Sequence, residues 1–341
     1  MTCLICKCET GRVHRVREMM FGMRDEFRYF ECDRCCSLCL VDPPSDLSPY
    51  YAADRYYSFN ESVSVRIPQN PLRRWFKHFR DRSICLGHPG LRGWVARRFP
   101  NSDADTFRTW LQHTAVRSHS AGILDVGCGN GWHLWQLHGL GFTNLTGVDP
   151  YLPNDISGGP FRIHACNLSG LSGRKFDFIM LHHSFEHMAS QVEELKQVRE
   201  LLTDTGTCMI RIPIVSRGPW KTYGANWAEI DAPRHFVLHS ELSLKLTGEA
   251  AGLAMKCIQY ESVPFSYAAS ELYRRGLSLY DESAKCQRQF EKVFEGSELS
   301  QFEALSKLHH VPGWAGRAAF FLTRPNDTRS GNTDICSILS E

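Results

Sequence analysis

Three glycines at alternate positions after an apolar segment are the feature of this sequence with the clearest chemical potential. Residues 123–131 read Ile-Leu-Asp-Val-Gly-Cys-Gly-Asn-Gly. Glycine allows positive φ and lets a ligand lie against bare backbone, while a carboxylate beside the turn suits a ligand that carries positive charge. The pattern predicts a strand followed by a ligand-binding turn. The predicted binding residues are Asp125, Gly127, Cys128, Gly129 and Gly131.

A second acid follows at a distance that fits the same kind of ligand. Asn144-Leu-Thr-Gly-Val-Asp149 reads as a strand ending in a carboxylate, 18 residues after Gly131. A carboxylate at the tip of a second strand can accept hydrogen bonds from both hydroxyls of a ribose. The glycine spacing of a dinucleotide-binding turn fails here, because Trp132 occupies its third glycine position. Asp149 alone does not separate the two classes of nucleoside cofactor.

Two later segments carry groups that could move a proton. Residues 181–188 read Leu-His-His-Ser-Phe-Glu-His-Met, and a long loop of polar and aromatic residues spans 217–236. A neutral histidine has an unperturbed pKa of about 6.5, which suits it to accept a proton from a hydroxyl or a carbon acid. We expect His235 and His187 to be catalytic, with Glu186 as an orienting or substrate-binding carboxylate.

Other residues of these two segments are expected around the reacting groups. His182 and His183 are predicted to line the cofactor pocket. Adjacent residues on a strand point to opposite faces, which argues against a metal site built from these histidines. Structural roles stay open for His187, by packing on its helix, and for Asp231 and Arg234, by pairing to hold the loop. The predicted substrate-binding residues are Tyr223, Trp227, Asp231 and Arg234.

Seven of the fourteen cysteines fall within the first 39 residues. Cys3-x-x-Cys6 and Cys32-x-x-Cys35 have the spacing of two knuckles that hold zinc with four thiolates. No open coordination position is evident, so the site is expected to be structural. Three further cysteines leave the ligand set open, and free thiols or an oxidised pair are the alternatives. These additional cysteines are Cys8, Cys36 and Cys39.

The elements that must position these residues form an alternating pattern of strands and helices, which is typical of a parallel sheet with crossover helices. Helices are expected at 132–140, 189–202 and 240–251. The predicted strands are 123–126, 145–149, 161–165, 176–181, 207–212, 255–261 and 317–323.

The chain divides by composition into four parts. The prediction is a zinc-ribbon module at 1–44, a helical region rich in aromatic and basic residues at 45–120, and an α/β domain at 121–325 that contains a helical insert at 264–312. The insert is expected to cover the substrate entrance. The polar tail 326–341 is expected to be disordered.

These motifs together resemble class I S-adenosylmethionine-dependent methyltransferases. The glycine turn and Asp149 carry the likeness to the superfamily. The cysteine knuckles, His183-Ser-Phe-Glu-His187 and Asp231-Ala-Pro-Arg-His235 resemble zinc-ribbon-bearing members of bacterial sugar and surface-polysaccharide biosynthesis. The resemblance implies a Rossmann-like seven-stranded sheet with helices on both faces, S-adenosylmethionine as cofactor and structural zinc. It also implies methyl transfer to a sugar or nucleotide-linked sugar.

Two positions depart from that family pattern. Cys36 stands where a glycine usually follows the second knuckle, and Asn167 stands where an acid often contacts the adenine.

Two other functions remain as alternatives. One is an RNA methyltransferase that holds RNA with the ribbon and the Arg-Trp region 73–98, although an amphipathic helix docked on the core would give that region the same composition. The other is a scaffold protein that binds the cofactor without turnover.

Overall charge and hydropathy limit the other possibilities. The chain has 39 basic and 37 acidic residues, for a formal net charge of +2, which excludes a strongly basic nucleic-acid binder by bulk charge but not by a local patch. No apolar run approaches the length of a membrane span, and the first residues lack a signal-peptide pattern. A cytoplasmic location without a membrane partner is expected.

Overall fold

The computed structural model describes residues 1–51, 70–86, 94, 98–280, 290 and 293–325. The strands are β1 (Gly11–Arg17), β2 (Glu26–Cys32), β3 (Leu38–Leu40), β4 (Ile123–Val126), β5 (Leu145–Val148), β6 (Arg162–His164), β7 (Phe176–His182), β8 (Leu202–Pro213), β9 (Val237–Leu238), β10 (Ala254–Glu261) and β11 (Arg317–Thr323). The α-helices within these residues are α1 (Pro71–Cys85), α2 (Ser102–Leu111), α3 (Trp132–Gly139), α4 (Gln191–Leu201), α5 (Pro219–Tyr223), α6 (Glu241–Ala250), α7 (Pro264–Arg274) and α8 (Gly296–Leu308).

Seven strands form one mixed sheet in the order β10, β11, β8, β7, β4, β5, β6. The strands from β4 to β8 pair in parallel, and β11 is antiparallel to both of its neighbours. β4 and β5 are buried along their whole length, as expected of parallel strands that are covered on both faces. The predicted seven-stranded α/β fold is therefore confirmed, although β8 begins at Leu202 rather than at 207.

Helices cover both faces of this sheet. Successive strand residues point to opposite sides, so Leu124 packs into one apolar cluster with Leu195 and Leu244 of α4 and α6. Its neighbour Ile123 packs into a second cluster, with Phe107 of α2. The predicted cover of helices on both faces is confirmed. Because every strand carboxyl end of the parallel part lies at one edge, the loops after β4, β5, β7 and β8 meet there.

A second, smaller sheet crosses the predicted boundary at residue 44. It has the order β1, β2, β3, β9, and its fourth strand comes from the segment directly after His235. Tyr29 and Leu38 of this sheet share an apolar cluster with Trp227 and Ile230 of the long loop. The cysteine-bearing segment is thus packed against the loop that carries His235.

The domain limits proposed from the sequence remain predictions. The insert at 264–312 contains α7 and α8, while 281–289 and 291–292 lie outside the described residues. The tail 326–341 also lies outside them, as do 52–69, 87–93 and 95–97 of the aromatic and basic region. Among the described helices, none is long and apolar enough to cross a membrane.

Candidate active site

The glycine turn joins β4 to α3 in a backbone conformation that other residues rarely adopt. Gly127, Gly129 and Gly131 have φ angles of 70°, 52° and 80°. A Cβ at Gly127 would lie 2.5 Å from the Cβ of Ser184, so the loop after β7 packs directly on this turn. The Ser184 hydroxyl donates to the Val126 carbonyl at 2.7 Å and fixes that contact. The sequence pattern therefore folds as predicted, as a strand followed by a turn of three glycines with positive φ.

Asp125 lies at the end of β4 as a buried carboxylate with one unsatisfied oxygen. Its side chain is 2% exposed, and its Oδ2 has no hydrogen-bond partner in the described part of the chain. Burial, with the charge of Asp149 as a smaller cause, raises the pKa of Asp125 to about 8. Burial also lowers the pKa of His133, 4.0 Å away, to about 4, so this ring is neutral at pH 7 and supplies no cation. A cationic ligand would satisfy the carboxylate, which fits the cofactor that the resemblance implies.

Asp149 is held beside the same turn by backbone groups. Its Oδ2 accepts from the Gly129 amide at 2.8 Å, and its Oδ1 accepts from the Tyr151 amide at 2.9 Å. Each carboxylate oxygen has a second lone pair, so the group can still accept hydrogen bonds from ribose hydroxyls. Cys128 lies between the two acids, with its Sγ 2.6 Å from the position of a Cβ on Gly147, so only glycine fits there. The five predicted residues of the turn and Asp149 form one contiguous site.

His182 and His183 bind the same arginine. Arg211 Nη1 donates to His182 Nε2 at 3.0 Å and to His183 Nε2 at 2.6 Å, while its other nitrogens bind Glu261. The expectation that the two rings point to opposite faces was wrong, because β7 ends at His182 and His183 takes a positive φ of 51°. The His183 amide donates to the Arg211 carbonyl, so it is not free for a cofactor.

Glu186, His187 and His235 form a buried group next to these histidines. Since arginine can only donate, His183 must accept at Nε2 and donate from Nδ1 to Glu186 Oε1, 3.2 Å away. Glu186 Oε2 is buried without a partner among the described residues, and burial raises the Glu186 pKa to about 8. Its Oε1 lies 4.0 Å from His235 Nε2. The predicted catalytic residues are thus brought together.

Backbone carbonyls determine which nitrogen of each catalytic histidine carries its proton. His235 Nδ1 donates to the Glu229 carbonyl at 2.9 Å, and His187 Nδ1 donates to the Arg234 carbonyl at 3.0 Å. A carbonyl cannot donate, so in the neutral rings Nε2 keeps a lone pair. Burial lowers the pKa of His235, and it lowers that of His187 to about 3. Both rings are therefore neutral at pH 7, with a lone pair on Nε2.

The predicted substrate-binding residues are packed more deeply than expected. Arg234 is fully buried and binds Asp231 through Nε at 2.8 Å and Nη2 at 2.5 Å, as in the loop-holding alternative. Burial alone would raise the pKa of Asp231, but Arg234 outweighs it and holds that pKa below its usual value. Trp227 is 1% exposed, with its Nε1 donating to Ser266, and Tyr223 is also buried. Their contact with a substrate remains a prediction.

Several residues at the site were not assigned from the sequence. An arginine within the apolar run Met209-Ile-Arg211-Ile was a usable signal, since a charged residue in a buried strand needs partners. Tyr51 has no comparable signal, yet its hydroxyl lies 3.1 Å from His187 Nδ1 and its ring stacks on Tyr151 beside Asp149. Only the fold brings Tyr51 and His133 to this edge.

The four cysteines of the two predicted knuckles lie together at the end of the small sheet. Cys3 Sγ and Cys35 Sγ are 3.5 Å apart, as are Cys6 Sγ and Cys32 Sγ, and all four sulfurs lie within 4.8 Å of one another. Zn–S bonds of about 2.3 Å in a tetrahedron require sulfurs about 3.8 Å apart. The cluster could therefore hold zinc. Cys8 Sγ instead lies beside Thr10, and Cys36 is exposed.

Replacing Gly129 with valine should abolish binding of S-adenosylmethionine, because a side chain at φ 52° would strain the turn, whose Gly129 amide binds Asp149. Isothermal titration should show at least a hundredfold weaker affinity with unchanged zinc content. Gly173→Val is the matched control, since Gly173 also has positive φ but no atom within 4 Å of its Cβ position. Normal affinity in the Gly129 variant would refute the assignment of the turn.

Replacing Asp125 with asparagine should change how stability depends on pH. The folded-state pKa of Asp125 is raised from 3.8 to about 8, so the unfolded chain binds fewer protons and wild-type stability falls as pH rises through this window. Asparagine removes that dependence. Urea unfolding should show the variant gaining stability over the wild type between pH 5 and pH 8. A constant difference across this range would mean that Asp125 is not buried as an acid.

Comparison with known proteins supports the geometry at the level of the family. A family model described as a methyltransferase domain matches residues 69–258. A tRNA U34 carboxymethyltransferase of Aeromonas salmonicida (strain A449) is 32% identical over 108 residues, which cover 28% of this chain and 33% of that protein. The enzyme of the same name from Saccharophagus degradans is 50% identical over 40 residues, 12% of each chain. The matches thus span a third or less of these relatives' length.

Solved structures give similar but weaker matches. A SAM-dependent methyltransferase from Archaeoglobus fulgidus has a TM-score of 0.41 at 19% identity and covers 68% of this chain and 99% of its own. Geranyl diphosphate C-methyltransferase from Streptomyces coelicolor A3(2) has a TM-score of 0.45 at 14% identity, with 83% and 100% covered. These similarities say nothing about function. The family model spans more than half of the chain, from before α1 to β10, and includes the glycine turn and Asp149, so the chain belongs to the methyltransferase domain family.

Proposed function

We propose that this enzyme methylates a nucleotide of an RNA. The observation that carries the proposal is the similarity to tRNA U34 carboxymethyltransferases, whose name gives tRNA as their substrate. The match covers a third of those proteins, so it supports a class of acceptor and not a particular base. The sugar acceptor expected from the sequence has no such support among the relatives reported above.

The charge of one segment agrees with an RNA partner. Residues 70–99 contain eight lysines and arginines and one acid, Asp81. Lysine and arginine side chains bind phosphates, and exposed aromatic rings stack on bases. Trp75 and Trp94 in this segment are 65% and 56% exposed. The segment is therefore locally basic and aromatic in a chain whose overall net charge is only +2.

Helix α1 of this segment contacts helix α3 of the methyltransferase domain. Lys77 Nζ of α1 donates to the carbonyl of Gly139 at the end of α3. Helix α3 has eight residues and begins at the glycine turn, so its two ends are roughly 12 Å apart. An RNA bound along α1 would need to span only about this distance to place one nucleotide at the cofactor edge. Ile84 of α1 packs into the core, as the amphipathic-helix alternative expects, while Trp75 faces solvent.

The residues of the acceptor site define the chemistry that the chain can perform. When bound, S-adenosylmethionine supplies an electrophilic methyl group on a sulfonium. His235 Nε2 is positioned to take the proton that the acceptor must lose, because its Nδ1 proton is committed to the Glu229 carbonyl. The ionised Asp231, with its Oδ2 3.8 Å from His235 Nε2, would stabilise the imidazolium that results. Because Glu186 and His235 are buried, water is kept from reacting with the methyl group in place of the acceptor.

A small-molecule acceptor is the second candidate, and the enclosure of the same group favours it. Glu186 is 1% and His235 is 7% exposed, so little of either residue is accessible from solvent. A sugar or nucleotide-linked sugar could occupy such a site with less rearrangement than a folded RNA. The RNA candidate requires the basic segment 70–99 for substrate binding, and the small-molecule candidate does not.

Incubation with labelled S-adenosylmethionine should transfer label to total tRNA rather than to nucleotide-linked sugars. Because phosphate contacts release counterions, tRNA binding should weaken steeply between 50 and 200 mM salt. Lys77 and Arg80 bind Asp81 within α1, so the exposed Arg98 is the better residue to change. Arg98→Ala should raise the KM for tRNA and leave cofactor affinity unchanged. Labelling of sugar nucleotides alone would favour the second candidate.

Replacing His235 with alanine should lower kcat by at least a hundredfold, because the acceptor would lose its general base. Affinity for S-adenosylmethionine should stay within twofold, which separates a role in catalysis from loss of the cofactor site. His309→Ala is the control, since His309 is also a buried histidine but lies after α8, bound to Tyr267. Full activity of the His235 variant would make His235 a structural residue.

A further inference from the structure

The cysteine-bearing sheet contacts the His235 loop through hydrogen bonds that the methyltransferase sheet does not make. The Tyr29 hydroxyl of β2 donates to the carbonyl of His235 itself at 2.8 Å. One residue later, the Phe236 carbonyl accepts from the Leu40 amide at 2.9 Å, and the chain then enters β9 beside β3. The small sheet thus holds the backbone of the proposed base from its carboxyl side.

A buried ion pair ties the other side of this loop to the same module. Arg234 Nη2 contacts Glu18 Oε1 at 3.1 Å in addition to Asp231, and its Nη1 donates to the Tyr50 carbonyl at 2.9 Å. Glu18 and Arg234 are both fully buried. Glu18 also accepts from the Phe21 and Met23 amides, so it is fixed within its own turn. Removing either partner would leave a buried charge uncompensated.

Tyr29 is suited to a positioning role because its buried hydroxyl donates a hydrogen bond to the His235 carbonyl. The side chain is completely buried, and burial raises the pKa of Tyr29 well above its usual value, so the hydroxyl stays protonated and donates. On the far side of the same peptide segment, Phe236 donates from its amide to the Glu186 carbonyl at 2.8 Å. The His235 backbone is therefore fixed between the small sheet and the loop that carries Glu186.

We propose that the small sheet is a positioning element of the acceptor site, in which Tyr29 and the Glu18–Arg234 pair hold His235 facing Glu186 and His187. The inference rests on the proposed role of His235 as the base. It assigns Tyr29, Glu18 and Arg234 as positioning residues that do not touch the substrate. Proton transfer requires donor and acceptor within hydrogen-bond reach, so a small displacement of the His235 backbone is enough to slow the reaction.

The cysteine cluster is linked to the same positioning element. Cys32 ends β2, three residues after Tyr29, and the Cys35 carbonyl accepts from the Ser240 hydroxyl, which caps α6 just after β9. An ion held by Cys3, Cys6, Cys32 and Cys35 would fix the end of the strand that carries Tyr29. Loss of that ion should loosen the His235 loop and leave the glycine turn intact, because the turn is built from β4, β5 and β7.

The test compares Tyr29→Phe with Tyr267→Phe in the full chain. Tyr267 is equally buried, and its hydroxyl bonds His309 rather than the loop, so it is a matched loss of one hydroxyl. Tyr29→Phe should lower kcat roughly tenfold, with KM and cofactor affinity within twofold. Amide hydrogen exchange at 231–236 should be faster in this variant and unchanged in the control. If folding of Tyr29→Phe fails, Glu18→Gln serves as the second variant and should show the same local change.

Removing metal with a chelator provides a second readout that does not depend on turnover. Exchange should increase at 231–240, while titration with S-adenosylmethionine should give an affinity within threefold of the metal-loaded protein. If His235→Ala is inactive but Tyr29→Phe has normal kcat and normal exchange, the positioning role is wrong. If His235→Ala is active, the proposed base is wrong, and the exchange data alone decide whether the small sheet holds the loop.

Discussion

The rest of the site depends on the burial of one positive charge, that of Arg234. A guanidinium without solvent must be paired, and this one has a carboxylate in its own loop, Asp231, and another in the turn between β1 and β2, Glu18. That requirement joins two segments more than 200 residues apart. It also explains why Asp231 adopts a positive φ of 44°, a conformation that a non-glycine residue takes only when its surroundings enforce it. His235 is the next residue after Arg234, so this pairing also fixes where His235 lies.

At the cofactor edge, by contrast, two buried acids each have one oxygen without a hydrogen-bond partner in the described part of the chain. Asp125 Oδ2 and Glu186 Oε2 are buried without partners among the described residues, while Arg211 is fully occupied by His182, His183 and Glu261. A carboxylate in this state lowers stability at neutral pH. Ligand binding offsets that cost, so the destabilised groups are those that the cofactor and the acceptor would contact.

Sequence patterns predicted most of the fold because each pattern reflects a local constraint. β4 and β11 have the bounds predicted from the sequence, and α6 begins after Ser240, whose side chain caps it. Asp125 and Asp149 could be assigned because a turn and a strand end fix their places within a few residues. Tyr51 could not, since no local periodicity connects it with His187, 136 residues away.

The sequence by itself determined the seven-stranded sheet, the cofactor turn and the four clustered cysteines, because alternation, glycine spacing and knuckle spacing act over short distances. Only the tertiary structure decided that Arg234 is paired with Glu18, that Arg211 holds two histidines on one side, and that Tyr29 bonds the His235 carbonyl. Those contacts arise when separate segments exclude water together. Their free energy depends on burial and mutual distance, which a linear pattern does not contain.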